Sequence, residues 1–170
     1  MTPEQATFLA HHYVRLMTSE LPVTLKVLRA VPDATRDYRP DGKSRTAWDL
    51  ARHIAQSDVW FLDSVVAGSF AFDKAAADAL AQGWRTTADV ATYYEGAMPA
   101  RLEAVQALSP DVLRQEVDFF GVVRQQDVLF LAFANNHSIH HRGQLSAYLR
   151  AMGAKVPAIV GPSGDEGFGG

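Results

Sequence analysis

The sequence predicts an all-α protein built as a four-helix bundle, and three observations carry that reading. Apolar residues recur at three- and four-residue spacing through four long segments of the 170 residues. Helix-start and helix-stop residues bracket those segments. No convincing sheet pattern interrupts them, so an antiparallel bundle is the architecture expected. It is placed over residues 1–155, with a loop or tail over 156–170.

The first helix opens at Thr2, which can cap, with Pro3 in the tolerated first-turn position and Gln5 completing a Ser/Thr-x-x-Glu/Gln box. Phe8, Leu9, Val14, Leu16, Met17, Leu21, Leu25 and Leu28 then follow at helical spacing. Pro22 is expected to kink or split this helix, because it lacks the N–H and crowds the preceding turn. Pro32, Pro40 and Asp41-Gly42 mark 31–44 as a loop. A second helix is expected from Arg45-Thr46 to Gly68, burying Leu50, His53, Ile54, Trp60, Phe61 and Val65. Residues 69–85 read as an irregular connection with a short helical piece. Thr86-Thr87 with Asp89 or Val90 starts a third helix ending near Leu108.

Ser109-Pro110-Asp111 opens a turn or short helix, and 117–123 can form a brief strand pair around Gly121. The strongest helical signal spans Gln125 to Met152, with Leu129, Phe133, Asn136, His137, His141, Leu145, Tyr148 and Met152 as its stripe. Gly153 ends it as a C-cap glycine. Beyond it, five glycines in the last ten residues mark the tail as loop or disorder.

Composition excludes several functions. A net charge of −3 gives no electrostatic footprint for nucleic acid, and an anionic membrane surface is equally disfavoured. With no cysteine there is no disulfide framework, thiolate ligand or cysteine nucleophile. The longest apolar run, Val128 to Ala134, is far short of the ~20 residues of a membrane span. The first residues carry no signal-peptide pattern, so a cytoplasmic location is expected.

The histidines are the chemically suggestive feature. His137 and His141 stand at i and i+4, so their rings share one helix face. His53, midway along the second helix on its apolar side, is the natural third ligand for a borderline metal ion. Three protein ligands leave one position open, as catalytic sites do. The same spacing also arises by chance, and a half-buried histidine is often hydrogen-bonded core. His140 points about 60° away from His137 on the helical wheel, toward the surface or an outer contact. His11 and His12 lie apart from other candidate ligands. Ser138 stands where a zincin needs glutamate, and no histidine has a glutamate three residues before it, which disfavours metalloprotease and di-iron chemistry.

Three blocks resemble the DinB/YfiT-like metalloenzyme family. They are Trp48-Asp49-Leu50-Ala51-Arg52-His53-Ile54, then His137-Ser138-Ile139-His140-His141-Arg142-Gly143-Gln144-Leu145, and Gly153-Ala154-Lys155-Val156-Pro157 with Gly161-Pro162-Ser163. The resemblance implies an up-down-down-up bundle, a homodimer, and a divalent metal, zinc or nickel above all, on His53, His137 and His141. It also implies a metal-dependent enzyme, either a hydrolase or a transferase acting with a low-molecular-weight thiol on a small-molecule substrate, with a thiol or water at the metal. A metal can supply the activation that a cysteine-free chain cannot. The alternative is a non-catalytic, stress-associated helical protein with a structural metal or a metal-free binding cavity. Trp60, Gln144 and Tyr148 share faces with the ligands and are candidates to touch substrate, although ordinary packing explains each equally well. Asp49, one turn before His53, is placed either to orient an imidazole or as a first-turn acid facing the helix dipole. Arg142 is expected in a structural ion pair, and Gly143 at a close approach of a neighbouring helix.

Overall fold

A computed structural model of the chain describes residues 1–167. Its helices in order are α1 (Pro3–Ala30), α2 (Ala47–Ala67), α3 (Lys74–Gln82), α4 (Thr87–Gln106), α5 (Pro110–Arg114) and α6 (Phe130–Ala151). A hairpin of β1 (Glu116–Phe119) and β2 (Val123–Gln126) lies between α5 and α6. The protein is thus mostly helical. Helix α1 packs along α4 and α6, and α2 packs along the same two helices. Val27, Leu28, Leu50, Ile54, Phe61, Leu62, Val90, Val105, Phe130, Leu131, Leu145 and Leu149 fill the space between them.

The ends of the helices follow from local chemistry. Thr2 and Gln5 form the reciprocal box at the start of α1, and Thr86 with Asp89 does the same for α4. Thr46 accepts the Asp49 amide at the start of α2, and Gly68 ends that helix at φ +64°. Gly153, at φ +70°, follows the end of α6 as expected.

Pro22 does not split α1, which runs through it for 28 residues. Both Pro22 and Thr18, whose carbonyl loses its helical donor, are exposed, so water can replace the missing bond.

The last long helix begins five residues later than its periodicity suggests. Gln125 and Gln126 pair with Val117 and Glu116 in the hairpin, and Asp127–Leu129 form a single 3-10 turn. Leu129 occupies the N-cap without a side-chain bond, so no residue there announces the start. The buried face is also shifted. It carries Leu131, Ala134, Asn135, Ser138, Arg142, Leu145 and Leu149, whereas Phe133 and Asn136 are exposed. Gly143 is exposed too, and a Cβ there would meet nothing within 4 Å, so it makes no close helix approach.

The hairpin turns at Phe120 and Gly121, both at positive φ (52° and 71°), and the Val122 amide closes it on the Phe119 carbonyl at 3.0 Å. The tail is irregular but fastened through residue 166: Glu166 pairs with Lys26 at 3.0 Å and Asp165 with Arg150 at 2.7 Å. Its final three residues, 168–170, lie outside the described part.

Candidate metal centre

Two helices bring three imidazoles together. His53 projects from the second turn of α2, and His137 and His141 from successive turns of α6. The ring centroids of His53 lie 5.0 Å from His137 and 4.5 Å from His141, and those of the α6 pair are 4.4 Å apart. One nitrogen from each ring lies within 4.8 Å of the others, the one such group of metal-capable donors among the described residues. The Nε2 atoms of His53 and His141 are 3.2 Å apart. Two nitrogens 2.0–2.1 Å from a tetrahedral ion stand about 3.3–3.4 Å from each other, so this pair fits a shared divalent cation closely.

The protonation states suit that use. Burial, helped by the positive charge of Arg45 and by the neighbouring imidazoles, pulls His53 down to about 3. Burial and the other histidines hold His137 at about 4, and burial lowers His141 as well. All three rings are therefore neutral near pH 7 and offer lone pairs. The Gln144 carbonyl accepts from Nδ1–H of His141 at 2.7 Å, which leaves Nε2 of that ring as the donor atom facing His53. Ser57 Oγ donates to the His53 carbonyl at 2.5 Å and lies 3.5 Å from Nδ1 of His137, while Phe61 packs edge-on against the His137 ring.

Beside the histidines lies a cavity of about 530 Å3, within the usual size for small-molecule sites. Trp60, Phe61, Phe72, Phe119 and Phe133 form its apolar wall, and Arg45, Asp49, Arg52 and Gln56 its polar wall. Trp60 is anchored by its indole N–H, which donates to the Ala71 carbonyl at 2.7 Å.

The adjoining face of α6 carries a different polar group. Ser138 donates to Asp58 at 2.7 Å, and Tyr94 donates to the same carboxylate oxygen at 2.9 Å. Arg142, only 2% exposed, pairs with Glu20 at 2.5 Å and donates to Thr24 at 3.2 Å. Burial pushes the Asp58 carboxyl up to about 7, against hydrogen bonds from Ser138 and Tyr94 that pull it down.

The residues singled out in the sequence separate clearly here. His53, His137 and His141 converge, and Trp60 lines the cavity. Gln144 supports His141 rather than lining the cavity. Tyr148 packs edge-on against Tyr38, away from the cavity wall. Asp49 borders the cavity, but its carboxylate is bonded to Arg52 at 2.7 Å and to Thr46 at 2.9 Å, not to an imidazole. His140 is exposed, and Arg142 makes the ion pair expected of it. Sequence reasoning missed Ser57, Arg45, Arg52, Phe72 and Phe119. Only Ser57, four residues after His53, carried a usable spacing signal.

A model of the DinB family matches residues 4–166. An uncharacterized protein, YrdA of Bacillus subtilis, is 33% identical over 78 residues, 45% of this chain and 46% of the relative, so the match spans about half of that protein. A DinB-like protein of Bacillus subtilis, YjoA, superposes with a TM-score of 0.67 at 25% identity, covering 86% of this chain and 95% of that one. A DinB-like protein from Bacillus cereus superposes with a TM-score of 0.68 at 24% identity over the same shares.

Proposed function

The chain belongs to the DinB family, and from that premise we propose a metal-dependent enzyme in which His53, His137 and His141 hold a divalent ion, zinc or nickel, that activates a low-molecular-weight thiol for transfer to a small-molecule acceptor. The observation that carries this reading is the 3.2 Å approach of neutral Nε2 atoms from two different helices beside an open cavity. A bound divalent ion supplies a lowered pKa to a coordinated thiol or water. The protein's own groups do the rest. The neutral imidazoles present lone pairs, Gln144 fixes the tautomer of His141, and the aromatic side chains give the cavity an apolar wall. Because the chain has no cysteine, the sulfur nucleophile arrives with a cosubstrate.

In this reading the four long helices form an up-down-down-up bundle over residues 1–155 with 156–170 as its tail, the protein is a homodimer, and it works in the cytoplasm. No described helix is long and apolar enough to cross a membrane.

Metal analysis of protein purified without a histidine tag tests the site. One divalent ion per chain is expected, and the His137→Ala/His141→Ala double variant should fall to background while keeping its helical circular dichroism. Stoichiometric metal in the folded double variant would sink the assignment. Chelation separates a catalytic ion from a structural one: a modest loss of melting temperature fits catalysis, and collapse of the fold fits a structural metal.

A further inference from the structure

The acidic groups that line the cavity are already paired. Asp49 is held by Arg52, and Asp78 by Lys74 at 2.5 Å. Arg45 lines the same cavity, and no hydrogen bond or ion pair to it is formed among the described residues. Its field nevertheless reaches the three imidazoles, adding to the effect of burial on each. Arg52 is held at both ends, by Asp49 and by stacking over Trp48 at 5.2 Å, yet its Nε–H is sealed from solvent with no acceptor. That N–H is out of a ligand's reach, but the Arg52 side chain as a whole is 30% exposed and, like Arg45, borders the cavity, so both guanidinium groups are open to it. The same cavity is lined by Trp60, Phe72 and Phe133, flat apolar surfaces with no hydrogen-bonding demand toward a ligand body.

We propose that the cavity recognises an aromatic carboxylic acid, with its carboxylate on Arg45 and Arg52 and its ring against Trp60, Phe72 and Phe133. The inference rests on the reading of this cavity as the substrate site and names the class of small molecule that site accepts. Guanidinium groups suit it because their planar donors match a carboxylate.

Calorimetric titration with two probes tests it: 3-phenylpropanoate and its neutral amide, 3-phenylpropanamide, each added to zinc-loaded and to chelator-stripped full-length protein. The acid should bind about tenfold more tightly than the amide, the size of one charge-assisted hydrogen bond, in both preparations. Arg45→Gln and Arg52→Gln should each bring the acid close to the amide while leaving the amide unchanged, and Arg45→Lys should restore part of the preference. Arg45 is exposed, so its variants fold even where an Arg52 change does not. Equal binding of acid and amide, or no binding of either probe, overturns the proposal. So does a preference that survives Arg45→Gln, or one that vanishes when the metal is stripped, since the anion would then sit on the ion. Failure of the metal assignment shows separately, in metal analysis, and leaves the acid preference of stripped protein readable.

Discussion

Two neighbouring faces of α6 treat polar side chains in opposite ways. His137 and His141 face His53, and His137 and His53 border the cavity, with one nitrogen of each ring within 4.8 Å of the others. Ser138 and Arg142, each one residue further along, are bonded to Asp58, Glu20 and Thr24 from α1 and α2. The internal group spends its hydrogen bonds on its own chain and fixes how α6 is rotated. The cavity-facing group is left to be completed by something else. Of the internal group only Oδ1 of Asp58 is buried without a partner; a polar cluster that its neighbours largely satisfy is architecture, and one they leave short is a site.

That contrast can be broken most severely at Arg142. Arg142→Met removes the partner of a partly solvated Glu20 and the donor to Thr24, and should cost about 3 kcal/mol in urea unfolding, with metal retained by whatever fraction stays folded. Loss of the ion from a variant of undiminished stability would mean the two faces are not separable. Next comes pH. Asp58 titrates at about 7 in the folded protein against an ordinary 3.8. The folded state therefore keeps a proton that the unfolded chain has released, and stability declines as pH rises from about 4 through 7. Asp58→Asn removes this slope, so the variant should gain roughly 2–3 kcal/mol on its parent between pH 5 and pH 8. The cavity face acts in the other direction. In metal-stripped protein, His53 and His137 stay neutral down to about 3 and 4, so stability falls as pH drops below about 6.5. Urea titrations of the stripped Asp58→Asn variant should show this acid limb together with the decline toward neutral pH that remains from Asp127, whose carboxyl burial also pushes up to about 7. The smallest effect sharpens the comparison from the cavity side: Gln144→Leu should weaken metal binding about 10–100-fold in chelator competition and leave stability nearly unchanged, because Gln144 is exposed.

Much of this arrangement is legible in the chain. Local signals sufficed wherever one residue both starts or stops an element and satisfies its backbone, as at Thr2, Thr46, Thr86, Gly68 and Gly153. They failed where a distant partner decides. Gln125 and Gln126 continue a helical pattern on paper, yet Val117 and Glu116 claim their backbone for the hairpin. Pro22 reads as a breaker until its outward position is known. The histidine triad was readable because each ligand lies on a helix face with a fixed period. The cavity was not, since Phe72 comes from a loop and Phe119 from a hairpin, and no spacing relates them to His53.

The wall carrying Phe72 and Asp78 has one more consequence. Helix α3 contributes no buried residue, and its segment is held to α2 by two bonds to backbone carbonyls, from Gln56 to Ala77 and from Trp60 to Ala71. Opening free energy follows buried contact, so this flap lifts before the long helices loosen. Solutes can thus enter and leave the chamber on a fast local clock while the imidazoles keep their spacing.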